Sequence, residues 1–229
     1  MNWDNLQQNL EVTFRDLSLI QQTFVHSSYV NENPSFPLQD NERLEFLGDA
    51  LLSFIVAEKL YQEFPNLSEG ELTEIRTWLI RQETLAELAS VLKLGDYLYL
   101  GKGEESTGGR QRKTNLADTF EALIGAIFLD QGLTAARDFV LNKLNNQFDK
   151  IKTGGISPNY KALLQEFTQA NYKQLPTYHL VEVSGPDHEK NFTVEVTIGN
   201  EVLGTGSGKS KRTAEIEAAR SAWEQLTNK

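Results

Sequence analysis

The chain has 229 residues, enough for one large domain or two small ones. Its 39% hydrophobic and 24% charged content is that of an ordinary globular protein, and the absence of cysteine excludes disulfides and thiolate metal sites. The net charge of −10 argues against a uniformly basic nucleic-acid binder, but the charge is uneven: residues 1–152 hold 14 Lys and Arg against 23 Asp and Glu, whereas residues 153–229 hold 8 against 9. The second part has one dense basic turn, Lys209 to Arg212, and a local patch of this kind binds phosphate even where the sum is negative. Met1 to Leu10 is polar, with no signal-peptide apolar region. No apolar run approaches the roughly 18 residues of a membrane span, so a soluble, cytoplasmic protein with no membrane partner is expected.

In chain order, apolar residues recur at helical spacing over about Asn5–Tyr29, Asn41–Phe64, Glu69–Lys93, Asn115–Leu129 and Thr134–Phe148. Breaks fall at Asn33-Pro34, Phe36-Pro37, Phe64-Pro65, Gly101 to Gly109 and Gly132. The Gly101–Gly109 stretch reads as a mobile polar loop, and no strong strand signal precedes residue 175. Lys152-Thr153-Gly154-Gly155-Ile156-Ser157-Pro158 has the composition of a short flexible linker. The pattern then changes to a helix over Asn159–Asn171 and strands over Tyr178–Val183, Asn191–Ile198 and Glu201–Gly206. A final helix follows from about Ser210 to Leu226. The middle strand alternates Phe192, Val194, Val196 and Ile198 with Thr193, Glu195 and Thr197, giving one buried and one wet face. Gly199-Asn200 marks a tight hairpin turn.

Two segments carry chemistry. In Asn41–Ala50, Glu42, Glu45 and Asp49 are spaced i, i+3, i+7 and share one helical face, while Leu44, Leu47, Leu51 and Ile55 line another. Like charges on one stripe destabilise a helix by a few tenths of a kcal/mol each unless a cation sits among them. Asn115–Ala122 repeats the device with Asp118 and Glu121. Two such helices, facing each other, can hold an oxygen-ligated divalent ion. Carboxylates with no Cys or His beside them select a hard ion, Mg²⁺ first and Mn²⁺ second. Such an ion screens a phosphodiester, lowers the pKa of a bound water and stabilises the leaving oxyanion, and two ions about 4 Å apart also fit.

Leu203-Gly204-Thr205-Gly206-Ser207-Gly208-Lys209-Ser210 imitates a phosphate-binding P-loop, but that pattern needs glycine at position 203 and a preceding parallel strand. No nucleotide cofactor is expected. Glycines ahead of a lysine-bearing helix start still attract phosphate.

With both halves in view, the chain resembles a bacterial ribonuclease III over nearly its whole length. Asn41–Ala50 matches the family's signature segment, and Leu116-Ala117-Asp118 to Glu121-Ala122 its second acidic motif. Phe24-Val25-His26-Ser27-Ser28-Tyr29 is similar to its first helix-end segment. Residues 157–226 resemble a double-stranded-RNA-binding domain, marked by Gly185-Pro186-Asp187-His188 and Lys209–Ala214. The resemblance implies a multi-domain chain: an all-α catalytic domain over 1–151, a linker over 152–157, and a small α+β domain of order α-β-β-β-α over 158–229. It implies Glu45, Asp49, Asp118 and Glu121 as metal-ligating catalytic carboxylates. By the same resemblance, Glu42 and Glu69 look like a second acidic pair, and Phe46 falls where the family places an aromatic at the interface of a homodimer.

The implied activity is hydrolysis of both strands of double-stranded RNA, leaving 5′-phosphate and 3′-hydroxyl ends with a short 3′ overhang. Ribosomal RNA precursors and structured messenger leaders are the implied substrates. Lys209, Lys211 and Arg212 would meet phosphates across a major groove, reading shape and not sequence. By resemblance, Gln165 and Glu166 would meet 2′-hydroxyls in one minor groove and His188 would enter the next, contacts that distinguish RNA from DNA. Taken alone, His26 reads as a packed helix-end residue. The alternatives are a non-catalytic double-stranded-RNA-binding protein that keeps the fold, and a metal-dependent enzyme acting on another phosphodiester.

Overall fold

The computed structural model describes residues 1–153, 158–186 and 189–227. It divides into two compact units. One comprises Met1–Pro65 with Ile75–Ile156, the other Asn66–Glu74 with Ser157–Lys229.

The first unit is helical. The periodic stretch that reads as one run over Asn5–Tyr29 forms three short helices, α1 (Trp3–Leu10), α2 (Leu17–Thr23) and α3 (Ser27–Glu32). The breaks have local causes. Glu11 ends α1 in the left-handed region at φ 61°. Asp16 caps α2 with its side chain, while the Asp130 carboxylate accepts from the amides of Arg15 and Asp16 at 2.9 and 2.8 Å. Next comes the long helix α4 (Glu42–Glu63). The expected run over Glu69–Lys93 is split into α5 (Glu69–Ile80), whose residues up to Glu74 count with the second unit, and α6 (Gln82–Val91) by Arg81, whose ψ of 152° is extended.

The segment expected to be a mobile loop is instead ordered, which corrects that reading. It forms a short helix α7 (Lys102–Ser106) and a 3₁₀ turn over Gly109–Gln111. Arg110 forks onto Glu105 at 2.6 and 2.7 Å and donates to the carbonyls of Gly95 and Leu98. Arg112 pairs with Glu104 at 2.5 Å. Composition hides this order because these partners lie five or more residues away.

The most apolar helix, α8 (Lys113–Gln131), is buried along most of its length, and α9 (Leu133–Lys143) and α10 (Asn145–Lys152) follow. Helix α4 packs along α8, and that pairing forms the centre of the unit. Two glycines allow it. A Cβ on Gly48 would overlap the Glu121 carbonyl, and one on Gly125 would overlap the Leu44 carbonyl, so the two backbones nearly touch.

The second unit contains α11 (Tyr160–Tyr172), a three-stranded antiparallel sheet in the order β1 (Thr177–Ser184), β2 (Asn191–Ile198), β3 (Glu201–Gly208), and α12 (Lys211–Thr227). The expected α-β-β-β-α order is present. Val194 and Val196 of β2 face Leu163, Leu164, Ala218, Ala222 and Trp223 in the core. The glycines of the P-loop look-alike serve packing. A Cβ on Gly204 would come within 2.5 Å of Ala222 N, and one on Gly206 would overlap Ala218 N, so β3 lies directly against the alanine seam of α12. Within this unit the Tyr160 hydroxyl donates to Glu71 at 2.9 Å. Among the described residues, no helix is long and apolar enough to cross a membrane.

Candidate functional site

The close α4–α8 contact brings the two acidic motifs together. Glu45, Asp118 and Glu121 each offer an oxygen, and these oxygens all lie within 4.8 Å of one another. All three residues are half-buried. The local causes are two glycines: Gly48 sits one turn after Glu45 on α4, and Gly125 one turn after Glu121 on α8.

Crowding and burial disfavour ionisation throughout this group. Burial pushes the Glu121 carboxyl up to about 8, with Asp49, Asp118 and Glu45 adding like-charge repulsion. Burial also raises Glu45, again with Asp118, Glu42 and Asp49 adding to it. Burial raises Asp118, with the positive form of His26 opposing the shift. Three carboxylates converging with so little to neutralise them are a poor apo arrangement and a good oxygen-donor set for a divalent cation.

The other expected residues are placed less centrally. Asp49 is exposed one turn beyond Glu45, outside the trio, though its charge acts on both Glu45 and Glu121. Glu42 is exposed at the first position of α4, and its amide donates to Asp40 at 3.3 Å. Glu69 is exposed, belongs to the second unit, and accepts from the Thr73 hydroxyl at 3.0 Å. Phe46 is 80% exposed and so is not a core residue. It borders a recess of about 570 Å³ lined by Leu19, Leu44, Leu47 and Leu129 together with the polar Gln22, Gln39, Glu42 and Arg43.

In the second unit, Lys209 lies two residues before α12, and Lys211 and Arg212 open it, all three exposed. Ser210 fixes that helix start, since its hydroxyl accepts from Thr213 N at 3.1 Å. Gln165 and Glu166 are exposed on α11. His188 lies outside the described residues.

Residue spacing did not reveal Gly48 and Gly125 as determinants of the site. The available signal was a glycine in the middle of each apolar helix, where it costs stability unless backbone must approach. Asn115 was also missed as a structural tie. It is buried one turn before Asp118, and its Nδ2 donates to Glu104 at 2.7 Å and to the Gly109 carbonyl at 3.0 Å.

Comparison with known proteins agrees with this geometry. Residues 16–148 match the Ribonuclease-III-like family model, and residues 160–226 match the double-stranded RNA binding motif. A Ribonuclease 3 from Dehalococcoides mccartyi is 43% identical over 223 residues, covering 97% of this chain and 94% of its own length. One from Roseiflexus sp. is 48% identical over 225 residues, covering 97% and 95%. A solved nuclease domain of ribonuclease III from Campylobacter jejuni superposes with a TM-score of 0.60 at 35% identity, covering 65% of this chain and 99% of that one. The paired acidic helices, the α-β-β-β-α unit that follows them and these full-length relatives converge on one conclusion: the chain belongs to the ribonuclease III family.

Proposed function

We propose that this protein is a cytoplasmic, homodimeric endoribonuclease that hydrolyses both strands of double-stranded RNA, leaving 5′-phosphate and 3′-hydroxyl ends with a short 3′ overhang. The convergence of Glu45, Asp118 and Glu121 within 4.8 Å of one another supports the reading most directly. These three would hold Mg²⁺, with Mn²⁺ able to substitute, because oxygen donors without nitrogen or sulfur select hard ions. A bound divalent ion supplies Lewis-acid chemistry, screening the scissile phosphate, activating water and steadying the leaving oxygen. Asp49, exposed one turn beyond Glu45, would orient metal and water together with Glu45. Glu42 adds a further acidic group at the start of α4.

The dimer reading rests on Phe46. An 80% exposed phenylalanine beside a recess of its own size or larger, with a leucine-lined part, is suited to a self-complementary two-fold contact, in which each ring enters the other copy's recess. In the second unit, Lys209, Lys211 and Arg212 neutralise backbone phosphates at the start of α12. Gln165 and Glu166 approach 2′-hydroxyls, and His188 approaches a second minor groove. Such contacts read A-form shape, which suits ribosomal RNA precursors and structured messengers as substrates.

The reading is tested by incubating a long, end-labelled RNA duplex with Mg²⁺ and mapping both ends of the products. Short duplexes with 5′-phosphates and recessed 5′ ends are expected. Products with 5′-hydroxyl ends, or cleavage of single strands alone, would contradict it.

A further inference from the structure

Both acidic helices are tied at their N-terminal ends to one stretch, Thr23–Ser28, that contributes no carboxylate to the site. On one side it holds the residue before α4: Asn41 N donates to Val25 O at 2.8 Å, and Asn41 Nδ2 to Thr23 O at 3.1 Å. On the other side Val25 forms a parallel bridge with Tyr99. There Tyr99 N donates to Phe24 O at 2.8 Å, and His26 N to Tyr99 O at 3.1 Å.

The chain leaving Tyr99 then meets Ser28. Gly101 N donates to Ser28 Oγ at 2.9 Å, and that hydroxyl lies 2.8 Å from His26 Nδ1. Ser28 N also donates to Nδ1, at 3.1 Å. Because Nδ1 already accepts from Ser28 N, the Ser28 hydroxyl is set to give its single proton to Nδ1. The neutral imidazole therefore carries its own proton on Nε2. The fit is tight: a Cβ on Gly101 would lie 2.6 Å from Glu32 Oε1 and 2.7 Å from the Ser28 carbonyl. Glu32 also accepts from Lys102 N at 3.0 Å, so α3 and α7 are pinned together at this point. From Gly101 the chain runs into α7, whose Glu104 accepts from Asn115 Nδ2, one turn before Asp118.

We propose that His26 and Ser28 are positioning residues of the nuclease: through Gly101, Glu104 and Asn115 they fix where Asp118 stands relative to Glu45. The proposal rests on the metal-dependent nuclease reading above. Removing the Ser28 hydroxyl leaves the Gly101 amide without its acceptor and frees the imidazole to turn. Outer groups that orient a metal ligand change metal affinity or activity by about 10- to 100-fold when lost.

The test measures Mn²⁺ binding without RNA by the loss of the free-ion magnetic resonance signal. In parallel it measures the Mg²⁺ concentration for half-maximal RNA cleavage, kcat and KM, and the thermal midpoint. The proteins are the full chain as wild type, Ser28→Ala, Ser28→Thr and His26→Asn. The last keeps a side-chain cap on α3 and loses Nε2. Ser28→Ala and His26→Asn should weaken Mn²⁺ binding and raise the half-saturating Mg²⁺ about tenfold, with kcat lowered and KM for RNA little changed. Ser28→Thr, which keeps the hydroxyl, should recover most of the affinity.

If Ser28→Ala fails to fold, His26→Asn decides alone. Folded variants whose metal midpoints lie within twofold of wild type would overturn the positioning role, even if their thermal midpoints fall. Wild type that neither binds Mn²⁺ nor cuts duplex RNA would overturn the nuclease reading itself, and this inference with it.

Discussion

Glu121→Gln should stabilise the metal-free protein at pH 8. Burial and the charges of Asp49, Asp118 and Glu45 hold this carboxyl at about 8, against an ordinary 4.5 in the unfolded chain. The sign follows from linkage. Below pH 4.5 both states are protonated and the site costs nothing. As pH rises from 4.5 to 8 the unfolded carboxyl ionises while the folded one resists, so stability is progressively lost. Above 8 the penalty is complete.

At about 1.4 kcal/mol per tenfold change in proton affinity, the displacement sets a ceiling of about 5 kcal/mol. Partial exposure and solvent screening reduce this to about 2 kcal/mol. For a unit of this size that is a gain of about 4–8 °C in thermal midpoint. Glutamine removes the charge while preserving shape.

The assay is thermal unfolding of wild type and variant in chelator at pH 5 and pH 8, then at pH 8 with Mg²⁺. The variant should melt higher in chelator at pH 8, and the gap should shrink at pH 5. Mg²⁺ should raise wild type by about 2.7 kcal/mol at a hundredfold excess over its dissociation constant, and the variant by much less. A variant less stable than wild type at pH 8 without metal, or a gap independent of pH, would refute the claim that crowded carboxylates are the site's main stress.

Three further outcomes follow from other parts of the structure. Gly48→Ala should destabilise by about 1–3 kcal/mol, because its Cβ would overlap the Glu121 carbonyl. Denaturant unfolding measures this, and cleavage should fall further than stability does because the overlap displaces Glu121 itself. Changing Lys209, Lys211 and Arg212 together to Ala should weaken duplex RNA binding and reduce the salt slope by about 0.9 for each phosphate no longer neutralised, as measured by titration at several KCl concentrations. An unchanged slope would remove the start of α12 from the interface. Phe46→Asp should convert a dimer to a monomer by sedimentation velocity while leaving the helical content intact, since the ring is 80% exposed in a single chain.

The acidic site was largely legible in the sequence because its information is local. Carboxylates at i, i+3 spacing on two apolar helices suggest a shared face, and the structure brings Glu45, Asp118 and Glu121 together while leaving Glu42 and Asp49 of the same stripe exposed outside the trio. The alternation of β2 and the alanine seam of α12 were equally direct. What could not be read was anything decided by a distant partner. The break between α1 and α2 depends on Asp130 accepting amides more than a hundred residues earlier. The Gly101–Gly109 stretch has the composition of a loop but is ordered by Glu32, Ser28, Asn115 and two arginine pairs. Glycines at 204 and 206 imitate a phosphate loop, yet they serve backbone contact with α12. A glycine needed for close approach looks the same in sequence as one needed for a turn.

The most direct measurement of the central claim is single-turnover cleavage of a long perfect RNA duplex in Mg²⁺, comparing wild type with Glu121→Gln, with RNA binding measured in parallel in Ca²⁺. Wild type is expected to yield short duplex products, while the variant binds RNA with similar affinity and cuts at least a hundredfold more slowly, the scale of losing one charge-stabilising group at a reaction centre (~10²–10³). Equal cleavage by both, or binding without cleavage by both, would contradict a divalent-metal nuclease centred on Glu45, Asp118 and Glu121.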